Sequence, residues 1–263
     1  MNTLVLNDTF KELLADSDPF DCLWAMKGEV YRDVKGRVTK QFSHQGRSYF
    51  VKLHFGVGWI EIIKNLLQLR MPILGARNEW QAVARLQDLG IDTMTVVAYG
   101  EDGRNPAKRR SFVVTEDLIN TRSLEDVCAN WLTQPAEFSS KKFLIEKLAS
   151  ISRVLHENGI CHRDYYICHF LMDESSGSNQ KVSLIDLHRA LIKEQLAKRW
   201  IIKDVSGLYF SAMDIGLTRR DVFRFMKTYD RQGLRQCLEK NSTFWQAVDK
   251  RARSMHKKLS GRN

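Results

Sequence analysis

From Glu29 to Phe55, apolar and polar residues alternate around turn glycines: EVYRDV, Gly36, RVTKQF, Gly46, SYFVKLHF. A period of two broken by glycines predicts an antiparallel meander of three strands. The period then changes. Trp59, Ile60, Ile62, Ile63, Leu66, Leu67 and Leu69 recur at helical spacing and stop before Pro72, with Lys64 and Arg70 among the polar positions, which predicts an amphipathic helix. Its apolar face is expected to pack into the sheet-rich half; docking on a lipid or protein surface is the alternative. A second helix, about Ala76 to Leu89, is expected to end at Gly90. Two strands follow, TMTVVAY and SFVVTE, joined by the basic loop DGRNPAKRR.

After Asn120 the pattern becomes helical. Ser123 is a candidate N-cap for Leu124 to Trp131, and a longer helix is expected from about Ser140 to Glu157. Short strands around His169 to Met172 and Val182 to Ile185 flank the polar turn DESSGSNQ. Helices near Trp200 to Met213 and Arg219 to Tyr229 close the chain, the second with Thr218 and Asp221 spaced as a capping box. The tail RARSMHKKLSGRN reads as a solvated basic end. The expected class is α+β: a small antiparallel-sheet lobe over residues 1–118 and a mainly helical lobe over 119–263.

With 263 residues and 43% hydrophobic content the chain can bury an ordinary core, which excludes wholesale disorder. The amino terminus lacks a basic stretch followed by an apolar one, and no run of eighteen apolar residues occurs, so a cytoplasmic, non-spanning protein is expected. Five scattered cysteines (Cys22, Cys128, Cys161, Cys168, Cys237) predict free thiols. A net charge of +10 favours anionic partners without naming one.

The stretch LHENGICHRDYYICHF resembles the catalytic loop of protein-kinase-like enzymes, in which a helix ending Leu-His-x-x-Gly-Ile leads into His-Arg-Asp. Leu155, His156, Gly159, Ile160, His162, Arg163 and Asp164 match. Phosphoryl transfer also needs a strand lysine, a carboxylate to hold it and a magnesium-binding Asp, and the candidates follow in order. Lys52 lies on the third strand of the meander, where its ammonium would meet ATP phosphates. Glu79, on the second helix, is its expected partner. Asp186 ends the apolar strand VSLI as the magnesium ligand, Asp164 is the base, and Arg163 stands beside it. Glu116 to Leu118 resemble the connector whose backbone would meet adenine. Asp204 resembles a helix carboxylate that props the catalytic loop, a surface carboxylate being the other reading.

The chain departs from that pattern in places. No Gly-x-Gly-x-x-Gly occurs near Gly28, so Lys27, Arg32 or Lys35 would supply donors to the phosphates. His169 stands where Asn is usual; ligation of a second metal and a hydrogen bond to phosphate are both open readings, because magnesium prefers oxygen. Leu187 and His188 replace Phe and Gly after Asp186, and no Ala-Pro-Glu is found. These features point to a constitutive small-molecule or glycolipid kinase. A zinc quartet of Cys161, His162, Cys168 and His169 is disfavoured, since its spacing matches no zinc ribbon or finger.

Over about residues 20 to 235 the chain resembles the lipopolysaccharide core heptose (I) kinases of Gram-negative bacteria, the WaaP/RfaP family. The resemblance rests on YFVKLHFGVGWIEIIKNLLQLRMPILGARNEW, TMTVVAYGEDGRNPA, GICHRDYYICHFL, LIDLHRA and LYFSAMDIGLTRRD. It implies ATP-dependent phosphorylation of a hydroxyl on the first inner-core heptose, at the cytoplasmic side of the inner membrane, with Asp164 as base. It also implies acyl carrier protein as a partner and peripheral contact with the membrane. An aminoglycoside-type phosphotransferase and a non-catalytic basic binding protein are the alternatives. No nucleic-acid-binding module is recognised.

Overall fold

The computed structural model describes residues 3–15, 17–34, 36–67, 75–175 and 181–261. They divide into two compact units: Met1–Arg85 with Thr93–Ile119 and Asp186–Arg189, and Leu86–Asp92 with Asn120–Ile185 and Ala190–Asn263.

In the first unit, β1 (Thr3–Leu6), α1 (Asp8–Leu13) and α2 (Pro19–Ala25) precede the meander β2 (Glu29–Val34), β3 (Arg37–His44) and β4 (Arg47–His54). Then come α3 (Gly58–Leu67), α4 (Arg77–Asp88), β5 (Val96–Asp102) and β6 (Arg110–Glu116). The strands form a six-stranded antiparallel sheet in the order β1-β5-β6-β4-β3-β2. Alternation along β4 sends Tyr49, Val51 and Leu53 into a core with Phe10, Phe20 and Phe112. Phe50, Lys52 and His54 therefore project from the opposite face. On that face Ala76, just before α4, and Trp80 of α4 pack against Val113, and Trp80 stacks on Tyr99 with ring centroids 4.6 Å apart. β1, α1 and α2 were not foreseen from the pattern, although Asn7 and Asp18 cap the two helices through their side-chain oxygens.

The helix α3 forms where helical spacing places it, but it is not packed as expected. Ile62 is buried, whereas Trp59, Ile60, Ile63, Leu66 and Leu67 are exposed, Ile60 to 86%. Periodicity shows that a helix is amphipathic; it does not say that its apolar side faces inward. The expected stop at Pro72 falls outside the described residues.

The second unit contains β7 (Thr121–Ser123), α5 (Leu124–Cys128), α6 (Phe138–Glu157), β8 (Ile160–Cys161), β9 (Phe170–Asp173), β10 (Val182–Leu184), β11 (Leu191–Ile192), α7 (Lys198–Ser211), α8 (Arg219–Asp230), α9 (Leu234–Lys240) and α10 (Ser242–Ser260). β7, β9 and β10 form one small sheet; β8 and β11 form another. Ser123 caps α5 as foreseen, but the helix stops at Cys128 rather than Trp131. The Thr218–Asp221 capping box is formed. The basic tail is largely solvent-exposed, as expected, but it is helical: α10 runs through it to Ser260, anchored by the buried stripe Phe244, Val248 and Ala252, four residues apart. Within this unit an apolar cavity of about 190 Å³ is lined by residues including Leu124, Leu144, Ile167, Leu208, Phe225 and Trp245. All five cysteines are free.

Candidate active site

Three of the predicted site residues meet within the first unit. Lys52 Nζ donates to Glu79 Oε1 at 2.6 Å and to Asp186 Oδ1 at 3.0 Å. The geometry follows from the sheet: β4 points Lys52 at the face that α4 covers, and α4 points Glu79, wholly buried, back at it. Burial alone would lower the Lys52 pKa, but the two carboxylates outweigh it and raise the value, so the ammonium is charged at every physiological pH. Asp186 has φ +60, a left-handed conformation unusual outside glycine. Burial opposes its ionisation, yet a hydrogen bond from His188 and the charge of Lys52 hold its carboxyl well below the usual range. His188 Nδ1 lies 2.6 Å from Asp186 Oδ1. This histidine was noted in the sequence only as a departure; its spacing of two from Asp186 was the available signal.

Arg37 was missed, while Arg32 and Lys27, named as candidate donors, are exposed and Lys35 lies outside the described residues. Arg37 is paired across the strands with His54, one step along the same face from the Thr39–Lys52 pair. Burial lowers its pKa, opposed by the charges of Glu79 and Asp186.

The connector residues close β6. The Glu116 N–H donates to the Thr95 carbonyl and the Asp117 N–H to the Ser48 carbonyl, both at about 3 Å. Glu116 also has Arg47 at 3.6 Å, and the Asp117 carboxylate accepts from Gln41 at 2.8 Å. Leu118 follows, half-buried.

The predicted catalytic loop lies in the second unit and is held from below by one carboxylate. Asp204 on α7 is fully buried and accepts the backbone N–H groups of His162 at 2.6 Å and Arg163 at 2.9 Å. Burial opposes its charge, but His156 and His162 with these backbone bonds hold its pKa below the ordinary value. The reading of Asp204 as a surface carboxylate is thereby overturned. Arg163 has φ +73, and its guanidinium lies over the Trp200 ring, 5.6 Å from the centroid. Gly159 must be glycine, since it has φ +74 and an added Cβ would fall 1.7 Å from the Lys193 carbonyl oxygen. The Asp164 carbonyl accepts from His169 Nδ1 at 2.7 Å. The Cys161 thiol is pushed up by burial and lies against the Trp200 carbonyl, which disfavours the thiolate a zinc site would need.

Among the described residues no three His, Cys, Asp or Glu side chains form a ready metal cage. Magnesium in phosphoryl transfer commonly takes one or two carboxylates and completes its shell with phosphate and water, so an ionised Asp186 is a fitting ligand.

Residues 21–229 match the lipopolysaccharide kinase (Kdo/WaaP) family. The chain is 45% identical over 258 residues to the lipopolysaccharide core heptose(I) kinase WaaP of Pseudomonas aeruginosa, covering 97% of this chain and 96% of that one. To the protein of the same name from Escherichia coli it is 50% identical over 237 residues, covering 89% of each. A solved structure described as WaaP in complex with acyl carrier protein superposes with a TM-score of 0.84 at 42% identity, covering 97% of this chain and 99% of that one. The protein-kinase-like α+β fold expected from the sequence is the one these relatives share, and the chain belongs to the lipopolysaccharide kinase (Kdo/WaaP) family.

Proposed function

We propose that this protein transfers the γ-phosphoryl group of ATP to a hydroxyl of the first heptose of the lipopolysaccharide inner core. The observation that carries this is Lys52 held between Glu79 and Asp186, in a chain 45% identical over nearly its whole length to a heptose(I) kinase. Lys52 binds the phosphates, and the connector from Glu116 to Leu118 receives the adenine. Asp186 would hold magnesium, which when bound neutralises charge on the phosphates. Asp164 accepts the proton of the heptose hydroxyl as its oxygen bonds to the γ-phosphorus; the bond to the bridging oxygen breaks and ADP leaves. Arg163, with its side chain against Trp200, serves as a positioning residue. Incubating the purified protein with dephosphorylated core oligosaccharide and labelled ATP tests the proposal. Label in the oligosaccharide is expected; none, with ATP bound, overturns the acceptor assignment.

The same reading includes two partners. An acidic acyl carrier protein suits the +10 charge, and the apolar cavity of the second unit suits an attached acyl chain. An anionic bilayer suits α3. Its exposed apolar residues recur at i, i+1, i+4, i+7 and i+8, one continuous stripe, and its first N–H donates to the Ala107 carbonyl at 3.0 Å, beside exposed Arg104 and Lys108. No helix among the described residues is long and apolar enough to cross a membrane. A surface helix beside a basic loop would bring such a kinase to a lipid-anchored acceptor.

A further inference from the structure

Kinases of this fold commonly cover the nucleotide phosphates with the backbone N–H groups of a glycine-rich loop. Here the corresponding hairpin lacks those glycines, and the residue that leads into β3 is closely packed. Gly36, at φ +81, receives the Phe55 N–H on its carbonyl at 2.9 Å. An added Cβ on Gly36 would fall 2.6 Å from the Gly56 carbonyl oxygen. Without a run of glycines whose backbone can approach phosphate closely, side chains are left to supply donors.

The register of β3 and β4 identifies them. Arg37 opposes His54, and Thr39 opposes Lys52. Residues two apart on a strand share a face and stand roughly 7 Å from each other, so Arg37 lies one step from Lys52 along the sheet. The two carboxylates whose charge reaches Arg37, Glu79 and Asp186, are both bonded to Lys52. Arg37 Nε is sealed from solvent and has no hydrogen-bond partner among the described residues, while the residue as a whole is partly exposed. Beside it, His54 is buried with an equally unpartnered Nε2. Burial, followed by the charges of Arg37, Lys52 and His188, lowers the His54 pKa to about 3, so this neighbour is neutral. Buried polar atoms are nearly always satisfied in folded proteins; Arg37 Nε and His54 Nε2, both unpartnered and on one face of the sheet, suit the oxygens of an anion.

We propose that Arg37 is the phosphate clamp of this kinase: its guanidinium, with His54 as a neutral hydrogen-bonding neighbour, takes terminal phosphate oxygens of ATP in place of a glycine-rich loop. The proposal rests on the kinase reading given above and assigns a residue that reading leaves out. Arginine suits the task better than lysine because its planar fork matches two phosphate oxygens at once.

Calorimetric titration of the full chain with Mg-ATP and with adenosine, for wild type, Arg37→Gln and Arg37→Lys, tests it. Arg37→Gln should weaken ATP on the order of 10- to 100-fold, the worth of a charge-assisted bond. Adenosine affinity should be unchanged, and the variant should unfold within about 2 °C of wild type. Arg37→Lys should recover part of the loss. Unaltered ATP affinity in Arg37→Gln would overturn the clamp. So would equal losses for ATP and adenosine, which would mean a structural role. If Arg37→Gln does not fold, Arg37→Lys decides: wild-type ATP affinity there rejects the bidentate clamp. A wild type that binds no ATP would instead reject the kinase reading, and the clamp with it.

Discussion

Asp204 accepts the backbone N–H of Arg163 at 2.9 Å, and through its other oxygen that of His162 at 2.6 Å. One buried carboxylate therefore satisfies two successive donors of a loop that holds a non-glycine residue at φ +73. Asp204→Ala leaves both N–H groups without an acceptor. It should cost about 3 kcal/mol, measured by urea denaturation, at roughly 1–3 kcal/mol for each stranded donor. Asp204→Asn keeps one acceptor oxygen and should cost less. Equal stability in both variants and wild type would show that the loop does not depend on this carboxylate.

Asp164→Ala should lower turnover by about two to four orders of magnitude, the usual contribution of a general base. ATP affinity and melting temperature should stay near wild type, because Lys52 and Asp186 are untouched. Wild-type turnover on core acceptor would remove Asp164 from the mechanism.

His54 sets a pH dependence of stability. Its folded pKa of about 3 lies below the value of about 6.5 for an unfolded histidine, so protonation favours the unfolded chain. The stability that depends on neutral His54 is complete above about pH 6.5 and is lost as the pH falls towards 3, by at most about 1.4 kcal/mol per pH unit. His54→Asn should flatten the denaturation midpoint between pH 6.5 and 4 relative to wild type. Parallel pH profiles would show that His54 does not titrate as described.

The exposed stripe of α3 should carry the chain upward with anionic vesicles in a flotation gradient, and less so with neutral ones. Ile60 and Leu67 are 86% and 80% exposed, so Ile60→Glu with Leu67→Glu removes apolar contact without disturbing the core. The double variant should stay at the bottom. Flotation unchanged by the substitutions would place lipid binding elsewhere.

Much of this was legible in the chain. Lys52, Glu79 and Asp186 were each found from a local pattern: a strand lysine, a helix carboxylate, an aspartate at the end of an apolar strand. The structure brings all three within 3.0 Å contacts. Arg37 escaped because its hairpin is rich in basic residues and composition does not rank them. The signal was present in the two-residue turn Gln45–Gly46, at φ 48 and 74, which fixes the register pairing Arg37 with His54. Asp204 could be suspected but not assigned, since burial of a polar side chain depends on residues forty positions away. The side of α3 that faces solvent was illegible for a related reason: amphipathicity is local, while the partner that covers a face is not.

Asp186 to Arg189 belong to the first unit although the residues on either side of them belong to the second. The chain thus visits its sheet-bearing half three times, and the third visit is four residues long. A fragment ending at Ile119 would contain Lys52 and Glu79 but leave Lys52 without its second carboxylate. No single cut yields one piece with all three residues and another with an intact second unit. The two halves are consequently not modules that could be exchanged at one junction; inheritance of the site requires the whole thread.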